Sequence, residues 1–300
     1  MSAIKNVVIT GASGNLGKII LDRLNASDKF NVTVFRRNGS SSTFPDNTKV
    51  VDIDLTSVDA LTAALKGQDA FISAVGTLQI PGQKVLIDAA IAAGVKRFIP
   101  SDFGSNLDNP KTRKLPVFAK KIEIQEYLIE KAKANSITYS LVYNSAFLDW
   151  GLDHGFLLSH IDGKPKILDG GDSVFSATTL ATIGDAVVGI LSHLEETKNR
   201  AVYVEDAKIT QNQLLKIARE ATPNKTWEPI ELKVDDLTAQ ADARLAQGLF
   251  DAQTFIPYLF RAILDPAYGG NFEKTDNELF GIKGLTEEQV AEIVKKVVQQ

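Results

Sequence analysis

Asn6-Val7-Val8-Ile9-Thr10-Gly11-Ala12-Ser13-Gly14-Asn15-Leu16-Gly17 decides how the rest of the chain is read. The β-branched run at 6–10 stops at Gly11, and apolar positions at helical spacing follow over 16–26. A pyrophosphate needs backbone N–H groups at close range, so the turn that receives it must lack side chains. Gly11, Gly14 and Gly17 allow that approach, and Ser13, Asn15 and Leu16 carry the loop into the positive N-terminus of the helix. Glycines at this spacing are a weak signal alone, but between a strand and a helix they stand where a dinucleotide-binding turn requires them.

Outward from this turn the pattern continues as strand and helix in alternation. Strands are expected at 30–35, 49–53, 69–75, 96–100 and 137–143, with helices at 57–66, 82–93 and 118–134. The stretch 38–48 is rich in Gly, Ser and Asn, has no helical period and reads as a surface loop. Alternation of this kind demands a parallel sheet covered on its faces by helices. The fold class is therefore α/β, a Rossmann-type doubly wound parallel sheet over 1–150, followed by a smaller C-terminal α/β substrate domain over 151–300. Some segments of the second half can return to the first domain. In that half turns flank a short strand around Lys164-Pro165 and Asp169-Gly170-Gly171-Asp172. Helices are expected near 179–194, 210–221, 235–247, 251–264 and 286–298, and strands near 201–204 and 227–232.

The end of the second strand bears on which dinucleotide is bound. An acid there suits a free ribose, whereas a basic residue suits a 2′-phosphate. This chain has Arg36-Arg37-Asn38, which argues for NADP(H), with Arg36 forking onto the 2′-phosphate and Ser13 or Arg37 assisting. Asp54 after the third strand is expected at the adenine edge, and Val75-Gly76 after the fourth lets the chain pass close to the ribose and nicotinamide.

The bulk numbers narrow the class. Of 300 residues, 44% are hydrophobic and 23% charged, and the net charge of −4 offers no broad basic surface, so neither nucleic acid nor an anionic membrane is an expected partner. The absence of cysteine excludes disulfides, thiolate metal sites and cysteine nucleophiles, and fits an intracellular protein. The N-terminus shows no signal-peptide pattern, and no apolar run approaches the ~20 residues of a membrane helix, so a cytoplasmic location is expected. His154, His160 and His193 lack metal-ligand spacing, no metal is expected, and there is no GxSxG nucleophile turn.

Taken in order, Gly11 to Gly17, Arg36, Asp69-Ala70-Phe71-Ile72-Ser73-Ala74-Val75-Gly76, Gln83 and Arg97-Phe98-Ile99-Pro100-Ser101-Asp102-Phe103-Gly104 resemble the isoflavone reductase branch of the NmrA-like, atypical short-chain dehydrogenase/reductase superfamily. Family members carry Pro-Ser-Glu-Phe-Gly where this chain has Asp102, which keeps the charge on a shorter arm. The likeness covers residues 4 to about 155, and Asn144-Ser145-Ala146-Phe147-Leu148-Asp149-Trp150-Gly151 resembles the segment that closes the cofactor domain in fungal relatives. The resemblance implies an NADPH-dependent reductase of a small aromatic or secondary-metabolite-like substrate, acting on a C=C bond, a C=O bond or a benzylic ether, as monomer or homodimer. It also implies that Gln83, the Ser101-Asp102-Phe103 turn, Asn144 and Phe147 lie along the cofactor. The family's lysine stands three residues after a phenylalanine at a helix start, which here is Lys121 after Phe118. About four residues more than in plant members separate Phe118 from the next strand, so Lys120 is the alternative.

A lysine in that place can hold the ribose hydroxyls and support oxyanion or enolate charge. Tyr127 and Lys131 match the YxxxK spacing of ordinary short-chain dehydrogenases, but Lys131 falls at the helix C-terminus, where its charge complements the helix dipole. Two other readings use the same fold: a non-catalytic NADP(H)-binding regulator of NmrA type, and an isomerase or cyclase without net redox chemistry.

Overall fold

The computed structural model describes residues 3–300. In chain order the first half forms β1 (Asn6–Thr10), α1 (Asn15–Ala26), β2 (Asn31–Arg37), β3 (Lys49–Ile53), α2 (Val58–Ala64), β4 (Ala70–Ser73), α3 (Gln83–Ala92), β5 (Arg97–Ile99), α4 (Ala119–Lys133) and β6 (Thr138–Tyr143). There follow β7 (Ala146–Phe147), α5 (Leu148–Asp153), β8 (Lys166–Leu168), β9 (Phe175–Thr178), α6 (Leu180–Ser192), β10 (Arg200–Tyr203), β11 (Ala207–Ile209) and α7 (Gln211–Ala221). The chain ends with β12 (Ile230–Leu232), α8 (Val234–Ala246), α9 (Ala252–Leu264), α10 (Asn277–Phe280) and α11 (Glu287–Val298).

Two compact units emerge. The first holds the residues up to Phe103 together with Lys120–Val142 and Ile183–Val202; the second holds Gly104–Ala119, Tyr143–Thr182 and Tyr203–Gln300. The first unit is built on a seven-stranded sheet of order β10-β6-β5-β4-β1-β2-β3. The pairings from β3 through β2, β1, β4 and β5 to β6 are all parallel. The strands are apolar along their length because a parallel sheet is covered on both faces: Val7, Val8 and Ile9 of β1 and Phe71 and Ile72 of β4 are fully buried. Phe35, Phe71 and Phe98 meet edge to face, with centroids 6.0 and 5.4 Å apart, a geometry that adds about 0.5–1.5 kcal/mol per pair beyond burial.

From β1 the chain moves one way through β2 to β3, then returns to lay β4 on the other side of β1. The carboxyl ends of β1 and β4 therefore flank the point where strand order reverses, which is where ligands of open α/β sheets bind. Gly11 ends β1 at this point.

Arg97 lies at the start of β5 and is completely buried. Its Nε donates to Thr138 Oγ1 at 2.9 Å, Nη1 to Ser140 Oγ at 2.8 Å and Thr197 Oγ1 at 2.9 Å, and Nη2 to Leu194 O at 2.6 Å. Burial pushes the guanidinium down to about 10, opposed by the charge of Glu195. One cation thus ties β5, β6 and the α6–β10 connection together.

The second unit pairs β11, β9 and β7 in one small sheet and β12 with β8 in another. Its core joins Leu148 and Leu152 of α5, Phe175 of β9, Leu214 and Leu215 of α7, and Val290 and Val294 of α11. The strands β9 and β11, the two-residue β7 and the short α5 were not expected from the sequence, and the strand expected at 227–232 covers only Ile230–Leu232. Helices α7 and α11 begin with capping boxes at Thr210 with Gln213 and Thr286 with Gln289, which fix their starts locally.

Candidate active site

Gly11 adopts φ +78°, and a Cβ there would lie 2.3 Å from the Ala74 carbonyl oxygen beyond β4. A Cβ on Gly17 would lie 2.1 Å from Gly11 O, so α1 can cross this close to the turn only with glycine there. Gly14 is different. A Cβ on it would meet only Gly11 O, at 3.4 Å. Two of the three glycines are therefore demanded by packing of the loop on itself and on β4, while the third leaves the approach to the loop clear.

Gly14 is also the N-cap of α1, and among the described residues no side chain caps the N–H groups of that first turn, where Asn15 and Leu16 sit. Ser57, Thr210, Asp251 and Thr286 do cap α2, α7, α9 and α11. Uncapped donors at a positive helix end beside a clear approach suit a pyrophosphate.

Along the same sheet edge, Ser101 Oγ donates to Val75 O at 2.7 Å and Ser101 N–H donates to Gln83 Oε1 at 2.8 Å. Gln83, 1% exposed, and Ser101 thereby brace the turns after β4 and β5 against each other. Their polar groups shape the edge between Val75-Gly76 and the turn that contains Asp102 and Phe103. Asp54 accepts from Thr56 N at 2.9 Å and Thr56 Oγ1 at 2.6 Å, bonds that hold its carboxyl below the usual carboxylate range and shape the turn into α2.

Lys121 lies in the first turn of α4, partly buried, and its ammonium donates to the Asp102 carbonyl oxygen. Burial pushes it below the ordinary lysine range, and the Asp102 carboxylate opposes that shift. Lys120 is exposed and leans toward Glu123 Oε2 at 3.4 Å. The two neighbours thus differ in kind: one ammonium is desolvated against the β5 turn, the other is solvated. Desolvation with a specific partner at a sheet's carboxyl edge is a recurring mark of functional lysines.

Arg36 is paired across the sheet: Nε and Nη2 donate to Asp52 Oδ1 and Oδ2 at 2.6 and 2.7 Å, and Nη1 donates to Ser42 O at 2.6 Å. The parallel register of β2 on β3 sets Arg36 opposite Asp52, so the two charges meet across the strands, each holding its partner in the charged form. Asp52 and Ser42 were not singled out in the sequence; the register carries the signal, and it follows only from the strand pairing. Arg37 is exposed at the end of β2.

Asn144 and Phe147 belong to the second unit. Asn144 is fully buried, its N–H donates to Gly104 O at 3.0 Å, and its Oδ1 has no hydrogen-bond partner among the described residues. Phe147 packs edge to face on Trp150 at 6.3 Å. Their roles toward a cofactor rest on the resemblance.

The YxxxK pair makes a different structure. Tyr127 donates its phenol to Asp88 Oδ1 and is pushed up to about 12, chiefly by burial, while Lys131 and Lys84 lie over its ring at 4.9 and 5.5 Å. A phenol held protonated by burial and a carboxylate is unsuited to the proton exchange that this motif performs. Tyr127→Phe is expected to leave kcat within about twofold of the parent and to lower stability by about 1 kcal/mol, measured by steady-state rates and urea unfolding. Among the described residues, no cluster of His, Asp and Glu could hold a metal, and no helix is long and apolar enough to cross a membrane.

A family model described as the NmrA-like family matches residues 3–235. This chain belongs to the NmrA-like family. Two fungal relatives match nearly end to end. Oxidoreductase poxI of Penicillium oxalicum is 35% identical over 96% of this chain and 92% of its own length. Oxidoreductase aprR of Aspergillus flavus is 33% identical over 98% of both. Among solved structures, leucoanthocyanidin reductase of Vitis vinifera in binary complex with NADPH superposes with a TM-score of 0.80 at 18% identity, covering 98% of this chain and 100% of that one. AtPrR2 with NADP+ and (+)pinoresinol gives 0.80 at 22% identity, over 99% and 100%. These two likenesses show that this NmrA-like protein shares their α/β fold.

Proposed function

We propose that this protein is an NADPH-dependent reductase of a small aromatic or apolar substrate, reducing a C=C bond, a C=O bond or a benzylic ether. The observation that carries the reading is the desolvated Lys121 ammonium beside the Ser101-Asp102-Phe103 turn, in the same unit and on the same sheet edge as the glycine loop. The fungal relatives described as oxidoreductases support it, as do the solved structures of leucoanthocyanidin reductase with NADPH and of AtPrR2 with NADP+ and (+)pinoresinol.

Bound NADPH supplies a hydride equivalent at its nicotinamide. The first-turn N–H groups of α1 bind the pyrophosphate, and Gly14 admits it to the loop. Lys121 Nζ, anchored on Asp102 O, would hold the ribose hydroxyls and neutralise charge on the substrate oxygen or enolate, and the lowering of its pKa by desolvation would favour donating a proton there. An uncommitted ammonium of ordinary pKa would hold its proton more tightly.

NADPH consumption with a panel of enones, aryl ketones and benzylic ethers tests the reading. Turnover of at least one class supports it. Tight NADPH binding without turnover across the panel would favour the regulator, and conversion of substrate without NADPH consumption would favour the isomerase or cyclase.

A further inference from the structure

Asn38-Gly39 is the only Asn-Gly pair in the sequence, and it follows directly on Arg36-Arg37 at the end of β2. Both residues are exposed, in a turn closed by one hydrogen bond from Ser40 N–H to Arg37 O at 3.0 Å. Gly39 takes φ +78°, and a Cβ built on it would meet nothing within 4 Å. Asn38 N–H donates to Ile53 O at 3.1 Å, which pins its backbone beside the end of β3. Among the described residues, the Asn38 carboxamide and the Gly39 N–H make no hydrogen bond.

These are the conditions under which an asparagine amide is attacked by the next backbone nitrogen. Glycine has no side chain to obstruct the approach, the nitrogen is not tied up, and a turn held by one exposed hydrogen bond opens at little cost. Asn144 shows the contrast. It is fully buried, and its N–H and that of Ser145 are both held by Gly104 O, at 3.0 and 2.9 Å.

We propose that Asn38 is a deamidation site, and that the carboxylate formed there turns the cofactor preference away from NADP(H). Gly39 N bonds to Asn38 Cγ, the Cγ–Nδ2 bond breaks, and ammonia leaves with the proton of the Gly39 N–H. Water then opens the succinimide at either carbonyl, giving aspartate or isoaspartate at position 38 and releasing one proton from the new carboxyl. Water is the sole co-reactant.

The consequence rests on the NADPH reading above, in which Arg36 receives the 2′-phosphate. An acid at the end of the second strand suits a free ribose and a basic residue suits the 2′-phosphate. A carboxylate at position 38 stands one residue from Arg37 and two from Arg36, so it weakens the positive potential there and repels the phosphate. A free ribose carries no charge to repel. Isoaspartate also adds a methylene to the backbone between β2 and the segment in which Ser42 O accepts from Arg36 Nη1 at 2.6 Å and the Ser40 and Ser42 hydroxyls meet at 3.1 Å. Both products thus act on the same arginine.

The test ages the full chain in mildly alkaline buffer, locates the amide-to-acid mass change by peptide mapping, and measures NADP+ and NAD+ binding by calorimetry before and after. Asn38 is expected to convert ahead of every other asparagine. The aged chain and Asn38→Asp are each expected to bind NADP+ about fivefold more weakly at low ionic strength, with NAD+ within about twofold. Added salt narrows the difference. Asn38→Gln, whose longer arm closes a ring far more slowly, keeps the parent preference through the same incubation.

The proposal is overturned if Asn38 stays intact while other asparagines convert, or if Asn38→Asp leaves the NADP+ to NAD+ ratio of the parent unchanged. A parent that prefers NADP+ beside an unresponsive Asn38→Asp rejects the switch and leaves the NADPH reading standing. A parent with no preference for NADP+ rejects both. Unchanged thermal midpoints of the variants show that each result is a binding effect.

Discussion

Lys121→Ala lowers kcat by about 10²- to 10⁴-fold, the range that general acid catalysis contributes, and changes NADPH affinity far less. Lys120→Ala leaves kcat within about twofold. The contrast follows from the two environments: the Lys121 ammonium is desolvated and directed at Asp102 O, whereas that of Lys120 is solvated and shared with Glu123. The pH dependence has a definite sign. The ammonium is the active, proton-donating form, so activity is present below its pKa and lost as pH rises through it. Burial lowers that pKa, so the alkaline limb of kcat falls below the ~10.4 of an ordinary lysine. In Lys121→Arg, whose guanidinium does not deprotonate in this range, the limb disappears along with most of the rate. Rates measured through the alkaline range for parent and variants check both statements. A parent profile flat to beyond the ordinary lysine value would remove the acid role.

Arg97→Met destabilises the protein by about 3–5 kcal/mol, the cost typical of removing one member of a buried, fully hydrogen-bonded charge network. The side chain is completely buried and makes four bonds to Thr138, Ser140, Thr197 and Leu194. Methionine fills much of the volume but satisfies none of these acceptors, and the Leu194 carbonyl cannot turn to another partner as the hydroxyls can. Arg97→Lys recovers little, since one compact ammonium cannot reach groups spread along a planar fork. Urea unfolding measures the effect as a lower midpoint at unchanged slope. A loss below about 1 kcal/mol would show that the network contributes little net stability.

The sheet of the first unit was legible because its signals are local. β1 is a β-branched run ending on the glycine turn, and every strand out to β6 is separated from the next by a helix or a loop. The small sheets of the second unit were not. β9 reads Phe175-Ser176-Ala177-Thr178 and β11 reads Ala207-Lys208-Ile209, too short for a period and held as strands by pairing with each other. Long-range pairing also hid the partner of Arg36. Two arginines at a strand end are visible in sequence, but that Asp52 stands opposite one of them depends on the register of β2 on β3.

The choice between Lys120 and Lys121 carried a local signal after all. Ile124, Gln125, Leu128 and Ala132 form the buried stripe of α4, and Lys121 precedes Ile124 by three residues and Gln125 by four, so helical spacing places it on that stripe. Lys120 falls to one side, with Glu123. The chemistry of Arg97 had no such signal, because a charged residue opening an apolar strand reads the same whether its head reaches water or a buried clamp.

The most direct test of the central claim is the fate of label from NADPH deuterated at C4 of the nicotinamide, read by mass spectrometry of the product of whichever substrate class is consumed. A reductase places one deuterium at the reduced carbon for each NADPH oxidised, and Lys121→Ala slows that transfer without redirecting it. Product formed without label, or cofactor oxidised with no labelled product, would contradict the account.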